Sequence, residues 1–151
     1  MGAGNCADDV ARTAYEVGRR IAEAGAVLVC GGRGGVMEAA ARGAREAGGL
    51  VVGILPGRND LESPPNPFVD VAVFTGMAEG RNWVNVCTSD AVIALPGGYG
   101  TLSEIALAMK IGRPVVVIGD TAEIAPHGGP RPRAATTAEE AVAIALGSIG
   151  S

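Results

Sequence analysis

The segment Leu95-Pro96-Gly97-Gly98-Tyr99-Gly100-Thr101-Leu102-Ser103-Glu104 packs three glycines into four residues where a short apolar run gives way to helical spacing. That pattern suits anion binding. The first N–H groups of a helix have no intrahelical partner, the helix dipole is positive at that end, and glycine lets the amides approach a phosphate without a Cβ in the way. Gly97, Gly98, Gly100 and Thr101 are therefore candidate phosphate ligands. A second cluster, Gly31-Gly32-Arg33-Gly34-Gly35-Val36-Met37-Glu38, repeats the arrangement after the apolar run that ends at Cys30 and nominates Gly32, Gly34 and Gly35. Gly2-Ala3-Gly4 is a third candidate turn, with Gly4 as its contributor. In an open parallel sheet, ligands gather at the carboxyl ends of the strands, so all three turns are expected on one edge. Each also fits a purely conformational need, a tight bend at φ > 0.

Glu104 and Arg81 are the candidate catalytic groups. A carboxylate one turn into the helix, beside a bound phosphate, faces the sugar of a nucleotide. There it can stabilise an oxocarbenium ion or orient water. The same residue completes Thr101-x-x-Glu104, a capping-box spacing in which the carboxylate bonds back to the helix start. Arg81, in Gly80-Arg81-Asn82-Trp83, can grip a phosphate bidentately or pair with Glu104, and it equally suits a solvated helix face.

Other chemistries fit poorly. No glycine precedes a lysine, as a Walker-type loop requires. The one histidine, His127, lies in a Gly/Pro segment without a serine or cysteine elbow nearby, and the one lysine, Lys110, falls late on its helix. Cys6, Cys30 and Cys87 are far apart and odd in number, which argues against a disulfide framework and against a metal site. No metal and no cofactor are expected.

These residues need a frame to hold them. Val10, Ala14, Val17 and Ile21 form one helical face over Asp8 to Ala24, followed by strands at Ala26 to Cys30 and Leu50 to Leu55 with a helix from Val36 to Ala47 between them. After a Pro/Gly/Asn loop from Gly57 to Pro67, strand character returns at Phe68 to Thr75, Ala91 to Leu95 and Pro114 to Ile118. Helices are predicted at Glu79 to Thr88, Thr101 to Ile111 and Thr137 to Leu146, the last with Thr137 and Glu140 as a capping box. Gly119 to Thr136 reads as a loop. The alternation predicts an α/β chain, a three-layer Rossmann-like sandwich on a mostly parallel sheet.

The glycine turn at Gly2 to Gly4 should be fed by a strand, yet one residue precedes it. The first strand is thus expected to be missing or truncated, and a longer parent sequence is expected to carry apolar residues before Gly2. Composition bounds the rest. At 151 residues and 48% apolar content the chain suits one domain over residues 1–151. A net charge of -4 with scattered arginines argues against nucleic acid as a partner. No stretch reaches membrane-helix length, so a cytoplasmic protein without a membrane partner is expected.

The string Pro96-Gly97-Gly98-Tyr99-Gly100-Thr101-x-x-Glu104, with Gly31-Gly32-x-x-Gly35-x-Met37 upstream and Arg81 between, resembles the phosphoribohydrolases that release cytokinin bases from riboside 5'-monophosphates, the LOG or lysine decarboxylase-like family. The resemblance implies a Rossmann-like fold, a homodimer or higher homo-oligomer, a nucleotide or other phosphorylated small molecule as ligand, and N-glycosidic hydrolysis to base and ribose 5-phosphate. By residue it implies Glu104 and Arg81 as the catalytic pair, Gly97, Gly98, Gly100 and Thr101 as the phosphate loop, and Gly32, Gly35 and Met37 as the second nucleotide-contacting turn. Where the family carries Arg-Lys, this chain has Arg81-Asn82. The segment from Met77 to Arg81 is closer to a short-chain subgroup that includes a molybdenum-cofactor carrier, which implies a non-catalytic carrier or sensor as the alternative.

Overall fold

The computed structural model describes residues 1–119, 121 and 128–150. Helix α1 spans Asp8–Glu23, with Asp8 and Asp9 in its first turn and Arg20 in its last, matching the sign of the helix dipole at both ends. Strand β1 is Leu28–Cys30, α2 is Val36–Glu46 and β2 is Val51–Leu55. Then come β3 (Val71–Phe74), α3 (Arg81–Thr88), β4 (Val92–Ala94), α4 (Tyr99–Lys110), β5 (Val115–Ile118), β6 (Arg133–Ala135) and α5 (Ala138–Gly147).

All strand pairs are parallel. They form two three-stranded sheets in the orders β1-β2-β3 and β4-β5-β6, with Val29 opposite Val52 in one and Ile93 opposite Val116 in the other. Alternation along β5 shows why its sequence is continuously apolar. Val116 and Ile118 join one buried cluster with residues of α1, α2 and α5, whereas Val115 and Val117 join another with Val86, Ile105 and Ala108 of α3 and α4. A strand covered by helices on both faces has no polar side to show. The result is the predicted three-layer α/β arrangement, divided between β1 and β4.

Two elements differ from expectation. The segment Arg133–Ala135, read from the sequence as loop, pairs with β5 as β6, with Val117 opposite Ala134 and Ala135 buried in the core. Helix α4 begins at Tyr99 with Gly98 as its N-cap, so Thr101 sits inside the first turn and not at its start. At the amino end, the Met1 ammonium donates to Ile93 O at 2.6 Å and Leu95 N–H donates to Met1 O at 2.9 Å, a parallel bridge onto β4.

Candidate functional site

A cavity of about 530 Å³ opens where the glycine turns meet, and the three turns singled out in the sequence all contribute to its wall. Gly98, Gly100, Thr101 and Glu104 come from the start of α4, Gly31, Arg33 and Met37 from the turn after β1, and Gly2 and Gly4 from the amino end. Arg81, at the start of α3, also lines it. No side chain caps α4. The first intrahelical bond there is Leu102 N–H to Gly98 O, which leaves the amides of Tyr99, Gly100 and Thr101 without helical partners at the cavity's edge.

Not every nominated glycine faces the ligand space. A Cβ on Gly97 would run into Thr101 Oγ1 and crowd the Ala3 amide. Gly32 (φ +72) packs on Leu55, and Gly35 (φ +63) presses against the backbone of Ala3 to Asn5, so both shape the wall without lining it. Gly34 approaches Gly4 O. The turn is fixed from two sides: Val36 N–H donates to Ala3 O at 3.0 Å, and Asn66 Nδ2 donates to Arg33 O at 2.9 Å. The second contact folds the loop after β2 onto the glycine turn.

Glu104 is 7% exposed, and its Oε1 accepts a hydrogen bond from Asn85 Nδ2 at 2.9 Å. The capping-box alternative is therefore set aside, since the carboxylate points to α3 and not back along α4. Arg81 is half-buried and not solvated. Its Nη1 donates to Gly31 O at 2.6 Å and Ile54 O at 2.7 Å. Gly31 has to be glycine for this, because a Cβ there would strike Arg81 Nη1 and Met37 Sδ. Burial lowers the Arg81 guanidinium from its ordinary value, while the charge of Glu104 opposes the shift. No ion pair joins Arg81 to Glu104 among the described residues; the two share a cavity and not a contact. Arg81 Nε and Asn85 Oδ1 are buried without a protein partner.

Arg33, Glu79, Asn82 and Asn85 line the cavity and were not nominated by spacing. Arg33 was visible inside the second glycine cluster. Asn82 and Asn85 follow Arg81 on α3, Asn82 Nδ2 donating to Ser103 Oγ at 3.1 Å, and they were legible only as ordinary polar helix residues. The backbone signals the same place: Ala78, at φ +48, is the one described non-glycine residue in the left-handed region, three residues before Arg81. Lys110 ends α4 away from the cavity wall, and His127 lies outside the described residues. No three His, Cys, Asp or Glu side chains among the described residues cluster so as to hold a metal ion.

Comparison with known proteins places this geometry among relatives. The sequence model of the SLOG cluster4 family matches residues 1–145. An uncharacterized protein of Archaeoglobus fulgidus is 51% identical over 126 residues, covering 79% of this chain and 82% of that protein. The cytokinin riboside 5'-monophosphate phosphoribohydrolase of Mycobacterium tuberculosis is 39% identical over 93 residues, 61% of this chain and 50% of the enzyme, so the match spans half of that relative's length. Among solved structures, the molybdenum cofactor binding protein of Rippkaea orientalis superposes with a TM-score of 0.87 at 38% identity, covering 97% of this chain and 91% of that one.

Proposed function

Because the chain belongs to the SLOG cluster4 family, whose sequence model spans residues 1–145, we propose that its cavity binds a phosphorylated small molecule of nucleotide or pterin type and that the protein carries this ligand without turning it over. One observation carries the reading. The unpartnered amides at the start of α4 and the arginines Arg33 and Arg81 converge on a single cavity. Free amides at a positive helix end bind a phosphate, and two guanidinium groups balance its charge. Gly98, Gly100 and Thr101 are the proposed phosphate contacts, and Gly4, Gly31 and Met37 the wall against which a ring system lies. Gly32, Gly34, Gly35 and Gly97 hold the turns in shape.

The carrier reading is favoured over hydrolysis by how the two charged groups are used. Arg81 Nη1 is committed to two backbone carbonyls, and Glu104 Oε1 is committed to Asn85. The likeness to the Rippkaea orientalis protein also extends over nearly the whole chain. Hydrolysis stays as the second reading because Glu104 lines the cavity. In that reaction Glu104 orients water toward the anomeric carbon, the new C–O bond forms as the C–N bond breaks, and the departing base takes up the proton.

Calorimetry with AMP and with molybdopterin, beside chromatography for free adenine, tests both. Binding of one of them with no base release supports the carrier, and Gly98→Val should abolish that binding by filling the amide edge. Adenine release by the wild type that disappears in Glu104→Ala replaces the carrier with a hydrolase. No binding of either ligand overturns the reading. We further propose a homo-oligomer formed through α4, where Tyr99 and Leu102 are exposed on one stripe with Ala106. The three cysteines are free thiols, which suits a reducing cytoplasm.

A further inference from the structure

Asn85 on α3 and Glu104 on α4 are buried polar side chains of the cavity wall, 1% and 7% exposed. Asn85 Nδ2 donates to Glu104 Oε1 at 2.9 Å. An ionised carboxylate only accepts hydrogen bonds, so this contact fixes how the Asn85 amide is turned: its NH2 group meets Glu104 and its oxygen is the free end. That oxygen, Oδ1, is buried and has no protein partner. Glu104 Oε2 likewise makes no hydrogen bond among the described residues.

The neighbouring groups supply no donor to this corner. Asn82 spends its NH2 group on Ser103 Oγ, again reaching from α3 to α4. Arg81 gives Nη1 to Gly31 O and Ile54 O, and its unpartnered Nε bonds to neither Asn85 nor Glu104. Buried acceptors left without donors are costly, so two of them side by side in a cavity wall call for donors brought by the ligand. The wall also contains Gly4, Gly31 and Met37, two residues without side chains and a thioether, which suit the face of a flat ring.

We propose that Asn85 Oδ1 and Glu104 Oε2 form an acceptor pair that reads the edge of a planar ligand with two adjacent N–H donors, as in the 2-amino-4-oxopyrimidine ring shared by guanine and the pterins. This rests on the phosphate-binding reading above and gives the ligand a direction: phosphate at the start of α4, donor edge between α3 and α4. Asn85 is then a specificity-determining residue. Guanine presents N1–H and an amino group, and hypoxanthine N1–H alone. Adenine presents an amino group beside an acceptor nitrogen, which sets lone pair against lone pair. A site of buried acceptors rejects a ligand lacking their donors far more strongly than an apolar wall rejects a missing methyl group.

Calorimetry on the full chain with ribose 5-phosphate, GMP, IMP, AMP, 2',3'-dideoxy-GMP and 6-hydroxymethylpterin monophosphate tests the pair. GMP or the pterin phosphate should bind about tenfold tighter than IMP and about a hundredfold tighter than AMP, and the tighter of the two identifies the ring. Dideoxy-GMP should match GMP. In Glu104→Gln, whichever way the two amides turn, one acceptor of the pair becomes a donor. That variant should therefore weaken GMP and strengthen AMP, narrowing their ratio at least tenfold. Ribose 5-phosphate has no ring and reports the phosphate edge alone. If it binds while GMP, the pterin phosphate, IMP and AMP bind alike, this proposal is overturned and the phosphate-binding reading stands. A preference for GMP that is lost with the sugar hydroxyls, or that Glu104→Gln leaves unchanged, also overturns it. No binding of any of the six overturns both.

Discussion

At the scale of single residues, the site illustrates two different reasons for a glycine. Gly31 and Gly97 leave no room for a Cβ, since Arg81 and Thr101 occupy that space, whereas Gly98 and Gly100 have nothing within 4 Å of where a Cβ would stand. No packing requires glycine at these two positions, which leaves the proposed ligand edge as the reason to be tested. Gly100→Ala separates the two. Its ordinary helical conformation accepts alanine, so unfolding should show a gain of about 0.5 kcal/mol. The same methyl group stands where the phosphate would rest, and titration with the bound ligand should show affinity falling about tenfold. A variant that is both more stable and equally tight would show that the Gly100 amide does not face the ligand.

Elements meet at glycines as well. A Cβ on Gly18 of α1 would run into Ala40 O of α2, and a Cβ on Gly43 of α2 would run into Tyr15 O of α1. The helices cross with backbone against backbone, which holds the α2 glycine turn at a fixed height over the sheet. Gly43→Ala should lower stability by about 2 kcal/mol in urea titrations, as overpacked sites do. Gly147→Ala, in open space at the end of α5, should change little. Helix α5 shows the complementary device. Thr137 Oγ1 accepts from Glu140 N–H at 3.1 Å, and Glu140 Oε2 accepts from Thr136 N–H at 2.8 Å. Thr137→Ala should cost about 1 kcal/mol, and Thr137→Ser should restore most of it.

The whole molecule responds to pH through two buried groups. Burial lowers the Met1 amine from 8.0, so below that value the unfolded chain binds more protons and stability should climb as pH rises toward about 8. Burial raises the Cys30 thiol above 9.0, so beyond that value the unfolded chain releases its proton first and stability should fall. Urea midpoints at pH 6.5, 8.5 and 10 should therefore be greatest at the middle value. A midpoint that falls steadily from 6.5 would exclude the amine's part. At the same scale, the exposed α4 stripe should hold copies together: Tyr99 is 92% exposed and Leu102 45%. Leu102→Glu should convert a homo-oligomer to monomers in sedimentation, leaving Tm within about 2 °C because the residue supports no core.

Local chemistry was legible in the sequence. Apolar runs bounded by glycines announced strands, the Thr137 capping box announced α5, and the glycine clusters announced turns at helix starts, because each depends on neighbours within a few positions. The meeting of the glycine turns on one edge followed from the parallel-sheet reading, but which side chains join them there was not legible. That Gly4, Gly31, Gly98, Arg81 and Glu104 share one cavity follows from parallel strands delivering their carboxyl ends to one edge, a long-range geometry. The sequence left Glu104 between helix cap and cavity residue, and only the approach of Asn85 from α3 shows that its carboxylate turns away from the cap. Arg133–Ala135 became a strand for the same reason: its partners on β5 are distant along the chain, and the three residues Arg-Ala-Ala carry no period of their own. Short-range preferences chose the pieces; hydrogen-bond completion and burial between distant segments chose what they surround.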